Sequence, residues 1–176
     1  MKKLFSIFVA LMVLTLSVSA QSFKKSDKIL EGTVSYSKSK GSDAEYSVLP
    51  SLGYFVSNKA AIGVTAEMGS SSEGDVSNFG VYGRQYFHTV GKNILTYAQL
   101  NVGVNNTNVS GVKTSMFGAG VGLGANYFVS NRVAVSAHLS DLMSYSSGEG
   151  TSSFSLGFTG FNNPLAMTSF GVLVKL

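Results

Sequence analysis

The stretch Phe117-Gly118-Ala119-Gly120-Val121-Gly122-Leu123-Gly124-Ala125-Asn126-Tyr127 decides how the chain is read. Every odd-numbered position is apolar, and every even-numbered one is glycine or asparagine. Side chains of a β-strand alternate between two faces, so a strict period of two is the signature of a strand and not of a helix. One face of this strand is aliphatic and aromatic; the other is nearly bare.

Seven further segments repeat the alternation. Leu30, Gly32, Val34 and Tyr36 oppose Glu31, Thr33, Ser35 and Ser37. Tyr46, Val48, Pro50, Leu52, Tyr54 and Val56 oppose Glu45, Ser47, Leu49, Ser51, Gly53 and Phe55, and the segment ends at the polar turn Ser57-Asn58-Lys59. Ile62, Val64, Ala66 and Met68 oppose Ala61, Gly63, Thr65 and Glu67. Phe79, Val81 and Phe87 oppose Asn78, Gly80, Tyr82, Arg84 and Tyr86, with Gln85 out of place on the apolar side. Ala98, Leu100, Val102 and Val104 oppose Tyr97, Gln99, Asn101 and Gly103. Val133, Val135, Ala137 and Leu139 oppose Ala134, Ser136, His138 and Ser140, and Phe170, Val172, Val174 and Leu176 oppose Ser169, Gly171, Leu173 and Lys175.

Eight strands of about ten residues suit a closed membrane barrel, in which all backbone groups are paired and no edge meets lipid. The expected fold is therefore all-β: an eight-stranded antiparallel up-and-down transmembrane barrel with its apolar set outward. The links agree. Those at Ser57–Lys59, His88–Asn93 and Val129–Asn131 are short, whereas those after the third, fifth and seventh strands are longer and rich in Ser, Gly and Asn. Short turns at one end and long loops at the other match the periplasmic and extracellular sides of such a barrel. The outward aromatics also sort by depth: Tyr36, Tyr46, Phe79 and Phe117 at loop-side ends, Tyr54, Phe87 and Tyr127 at turn-side ends. Two aromatic girdles around an aliphatic band fit two membrane–water interfaces. A soluble sandwich or lipocalin-like barrel is the alternative, and it would leave the glycine row facing solvent.

Composition bounds the rest. The 176 residues hold 20 Gly, 13 Lys+Arg, 9 Asp+Glu and no Cys, and only 12% are charged against about 25% in an ordinary soluble domain. No disulfide, thiolate metal site or lipidated cysteine is available, and no basic patch points to nucleic acid. Lys2 and Lys3, the apolar run Leu4–Leu16 and the small residues Val18-Ser19-Ala20 read as a cleaved signal peptide over residues 1–20. A short segment over 21–28 and the barrel over 29–176 follow. Without residues 1–20 the chain has 11 basic and 9 acidic side chains.

The stretch Pro50 to Lys59, the run Tyr82-Gly83-Arg84-Gln85-Tyr86-Phe87 and the glycine-alternating strand resemble the outer-membrane β-barrel domain family of diderm bacteria, the architecture of outer-membrane proteins A, X and W. The resemblance implies an outer-membrane location, lipid and lipopolysaccharide as surroundings, contact with the barrel-assembly machinery, and no particular chemistry. Many such chains end in an aromatic residue, and this one ends in Leu176.

Inside, buried charges must pair. Glu31 near the start of the first strand and Lys175 near the end of the last are expected to meet across the closing seam, with Arg84 at the same depth. The glycine row is expected to make room for Tyr97, Gln99 and His138. His138, Ser140, Asp141 and Glu149 are the residue types of a hydrolytic triad, in which a base activates a hydroxyl, and the His-x-Ser spacing resembles that of outer-membrane lipid A deacylases. Parity turns His138 and Ser140 inward, away from lipid, so a hydrogen-bonded interior histidine is the simpler reading. Asn105–Thr107 and Asn108–Ser110 read as loop composition. The segment Phe154–Phe161 reads as a hairpin extension or as a plug. No metal or other cofactor is expected. The expected function is a non-enzymatic integral barrel with an envelope or surface-interaction role, as a monomer with an unspecified extracellular partner. A narrow conduit for small or apolar solutes and a lipid A hydrolase using His138 and Ser140 are the alternatives.

Overall fold

The computed structural model describes residues 23–37, 45–71, 74–109, 112–139, 142–148, 151–156 and 168–176. The segment read as a signal peptide, the first loop at Lys40–Asp43, Ser140, Asp141, Glu149 and residues 157–161 lie outside them. The strands are β1 Lys28–Ser37, β2 Glu45–Phe55, β3 Ala60–Ser71, β4 Gly74–Val90 and β5 Ile94–Val109. They continue as β6 Val112–Phe128, β7 Val133–Leu139, β8 Met143–Gly148, β9 Thr151–Leu156 and β10 Thr168–Lys175. Neighbours pair antiparallel in the order β1-β2-β3-β4-β5-β6-β7-β10, and β10 pairs back onto β1. The sheet closes into a barrel of eight staves.

Two differences from the sequence reading have physical causes. The seventh stave is broken. β6 pairs with β7 from Gly124↔His138 to Phe128↔Ala134, then with β8 from Val121↔Met143 to Phe117↔Ser147. Leu142 N–H bridges the break by donating to the Val121 carbonyl at 2.8 Å. β8 turns back into β9 with Tyr145 opposite Phe154 and Met143 opposite Leu156, so the described part of the Phe154 segment is a hairpin on the barrel wall. Secondly, β4, β5 and β6 run past their apolar bands. Asn105–Asn108, read as loop composition, pair with both Asp75–Asn78 and Lys113–Met116. Hydrophobic alternation marks only the apolar part of a strand, whereas ladder hydrogen bonds continue wherever the partner strand does.

Much of the outward set is exposed. Leu30, Val48, Leu52, Ile62, Val64, Val81, Leu100, Val121, Val135 and Val172 all face away from the interior. Above the row Phe79–Val104–Phe117, the outer face turns polar at Ser77–Asn106–Ser115 and Asp75–Asn108–Lys113. At the opposite end, Ser57 and Ser130 shape two equivalent turns. Each hydroxyl accepts from the two N–H groups that start the next strand, those of Lys59 and Ala60 and those of Arg132 and Val133.

The apolar core is small and lies at the turn end. Ile29, Phe55, Ala61, Tyr86, Leu95, Tyr97, Phe128, Ala134 and Leu173 converge there with Phe23, which precedes β1. Phe23 stacks on Phe55 at 4.1 Å between centroids and meets the rings of Tyr86 at 5.0 Å and Phe128 at 5.4 Å. Backbone bonds hold it there: Ser26 N–H donates to the Phe55 carbonyl, and Phe55 N–H donates to that of Asp27. Phe23, within the short segment expected over 21–28, thus completes the barrel floor. Phe23→Ala is expected to lower stability by about 3–5 kcal/mol, read as a lower urea midpoint in detergent micelles. An unchanged midpoint would show that the floor contributes nothing.

Candidate functional site

Each interior polar group reaches its place through strand parity. Arg84 follows Tyr82 and precedes Tyr86 on the inward face of β4, and Gln99 stands directly opposite it on β5. Glu31 points in from β1 on the far wall. Arg84 and Glu31 are 5% and 4% exposed, and Arg84 Nη2 lies 2.7 Å from Glu31 Oε2. The guanidinium also donates through Nε to Gln99 Oε1 at 2.6 Å and through Nη1 to the Tyr86 hydroxyl at 3.3 Å. Its Cζ sits 4.1 Å from the Tyr97 ring centroid and 5.2 Å from that of Tyr82, so π faces cover what the hydrogen bonds leave.

The network runs on. Tyr86 Oη donates to Asn126 Oδ1 at 2.9 Å, and Asn126 Nδ2 donates to Ser136 Oγ at 2.7 Å. Gln99 Nε2 donates to Asn101 Oδ1 at 2.7 Å. A continuous polar layer therefore crosses the barrel immediately above the aromatic floor.

Glycines provide the room. A Cβ on Gly53 or Gly63 would collide with the Tyr82 ring or hydroxyl and one on Gly124 with the Tyr97 ring, while one on Gly122 would press on the His138 imidazole. His138 stacks beside Tyr97 at 6.2 Å and 16°, facing the interior. Ser140, its partner in the triad reading, lies outside the described residues.

Lys175 corrects the sequence reading. It shares the inward face with Glu31, but Glu31 lies opposite Leu173, whereas Lys175 lies opposite Ile29. Lys175 Nζ instead meets Asp27 Oδ2 at 2.6 Å, at the rim of the floor. Arg84 reaches Glu31 through the barrel lumen, and Asp27 precedes β1, where no alternation assigned it a face.

Of the outward aromatics, Tyr46, Tyr54, Phe79, Phe87 and Phe117 are exposed and Tyr127 is half-buried; Tyr36 stands in register with Tyr46. Tyr145, Phe154 and Phe170 are exposed as well and were not counted among the depth-sorted aromatics. Their signal was the same alternation in shorter segments.

Above the Arg84 layer, toward the loop end, lies a cavity of about 420 Å³. Glu67, Asn78, Asn101, Asn105, Thr65 and His138 are among the side chains that line it. Asn78 Nδ2 donates to Glu67 Oε2 at 2.8 Å. Among the described residues no cluster of His, Cys, Asp and Glu could hold a metal ion, and no helix is long and apolar enough to cross a membrane.

No family model matches the sequence, and no curated protein does. Solved structures do match. The N-terminal β-barrel domain of Pseudomonas aeruginosa OprF superposes with a TM-score of 0.60 at 16% identity, covering 89% of this chain and 100% of that one. The fold is that of a small outer-membrane β-barrel. Neisserial surface protein A (NspA) superposes with a TM-score of 0.52 at 19% identity, covering 85% of this chain and 96% of that one. At these identities the likeness fixes the architecture and carries no residue roles.

The geometry of the barrel interior predicts its energetics. Arg84→Met leaves the buried Glu31 carboxylate unpaired and is expected to destabilise the barrel by about 3–5 kcal/mol. The double variant Glu31→Leu/Arg84→Met is expected to be more stable than either single one, since a buried pair replaced together leaves no orphan charge. Lys175→Met at the half-exposed rim is expected to change stability by about 1 kcal/mol or less. Urea titrations of the refolded variants measure all of these; simple additivity in the double variant would mean the pair does not interact.

Proposed function

We propose that the chain is an integral protein of the bacterial outer membrane, non-enzymatic, with an envelope-structural role and loops that take part in surface interactions. The observation that carries this reading is the inverted distribution of side chains: the outside of the closed barrel is aliphatic and aromatic, while a buried arginine, a glutamate and several carboxamides occupy the inside. A barrel in water would gain by the reverse arrangement; a barrel in lipid requires this one. Tyr54, Phe87 and Tyr127 at one end and Tyr46, Phe79 and Phe117 at the other would then sit at the two interfaces. The surroundings would be outer-membrane lipid and lipopolysaccharide, with insertion by the barrel-assembly machinery, as a monomer.

The aromatic floor and the polar layer above it support an interior without a through-path, which disfavours the conduit. His138 points into the lumen, which disfavours hydrolysis of lipid outside the wall. The decisive experiment is gel migration of the outer-membrane fraction with and without heating. A folded barrel is expected to migrate anomalously until boiled; recovery of the chain solely from the soluble fraction would overturn the reading. In planar bilayers the purified protein is expected to give no discrete conductance steps.

A further inference from the structure

Seven of the interior glycines play two different parts. Gly53, Gly63, Gly122 and Gly124 vacate space that Tyr82, Ile29, Tyr97 and His138 then fill. Gly80, Gly103 and Gly118 do not. They stand side by side across β4, β5 and β6, paired Gly80↔Gly103 and Gly103↔Gly118. The nearest atoms that a Cβ on any of them would meet are local: neighbouring-strand backbone, Thr65 Oγ1 and Asn105 Nδ2. The three together form a flat shelf of bare peptide whose open side is the cavity of about 420 Å³, a volume within the range of about 300–1,000 Å³ typical of small-molecule sites.

Polar groups border the shelf above and below. One residue pair toward the loops, Glu67, Asn78 and Asn105 stand in register across three strands; one pair toward the floor, Tyr82 and Asn101 do the same. Asn78 Oδ1 on this border has no hydrogen-bond partner; the unpartnered Tyr97 hydroxyl lies lower, against Gly124. Buried polar atoms are nearly always satisfied, so the border holds an acceptor that the described residues do not pair.

We propose that this shelf is a binding site for a neutral polyhydroxylated ligand, a mono- or disaccharide, lying flat on Gly80, Gly103 and Gly118. The donor inventory selects the class. Carboxamides and hydroxyls both donate and accept, as sugar hydroxyls do, and Glu67 adds an acceptor for a hydroxyl pair. An ammonium ligand donates only and would leave the carboxamide N–H groups of the wall unused. An acyl chain would strand the whole border unsatisfied. The reading does not depend on the role proposed for the barrel as a whole, because the site lies inside the wall.

The test is saturation-transfer NMR on the purified full chain in an amine-oxide detergent, which avoids glycoside headgroups. The probes are methyl α-D-glucopyranoside, trehalose and spermidine. Saturation is expected at sugar ring protons, with affinity lowered about tenfold or more in Gly118→Leu, whose side chain projects into the cavity past Asn105. Glu67→Gln, which leaves the shelf open, is expected to weaken binding about threefold to tenfold and serves if Gly118→Leu fails the heat-modifiability check of folding. No transfer to either sugar, equal transfer in the variants, or binding of spermidine alone would overturn the proposal.

Discussion

A guanidinium that cannot lose its charge sits at 5% exposure inside a closed wall, and the interior is organised around it. Arg84 needs acceptors on several sides at once, and no single strand can supply them. Glu31 comes from β1, Gln99 from β5 and the Tyr86 hydroxyl from its own strand, while Tyr97 and Tyr82 present ring faces. Rings of that size fit a lumen eight staves wide only where neighbouring strands give up their side chains. Gly53, Gly63 and Gly124 are those concessions. Three of the 20 glycines thus trace to the solvation of one cation.

Below that layer the problem reverses. The floor is filled with rings, completed by Phe23 from outside the strands, and the Lys175–Asp27 pair stands at its rim. Above it, the atoms nearest to Gly80, Gly103 and Gly118 among the described residues are backbone and small polar side chains, and the lumen opens into a cavity. The barrel is therefore stratified along its axis into an apolar floor, an ionic layer and an open polar chamber.

The faces of the strands were legible in the sequence because alternation and barrel geometry share one period: Phe117 to Tyr127, Ala98 to Val104 and Phe170 to Leu176 divide as the alternation requires. Partners across the lumen were not. Glu31 and Lys175 lie near the closing seam by strand order, yet depth along the strand separates them by one inward step, and the arginine 53 positions away is the nearer charge. Phe23 was missed because it stands outside any alternating segment; a lone aromatic between polar residues was its only trace. The extent of β4 to β6 was underestimated for a related reason, since Asn105 to Asn108 have ladder partners without an apolar face.

The floor joins the two ends of the described chain. Asp27, just before β1, holds Lys175 at 2.6 Å, and Leu176 N–H donates to the Lys28 carbonyl at 2.9 Å. An even count of staves returns the chain to the side from which it set out. An epitope tag or a fused domain inserted just before Phe23 or placed after Leu176 would therefore occupy the compartment of the short turns, opposite the long loops. Protease access to such a tag in intact cells, compared with access to the loops, reads out the orientation of the barrel without disturbing its interior.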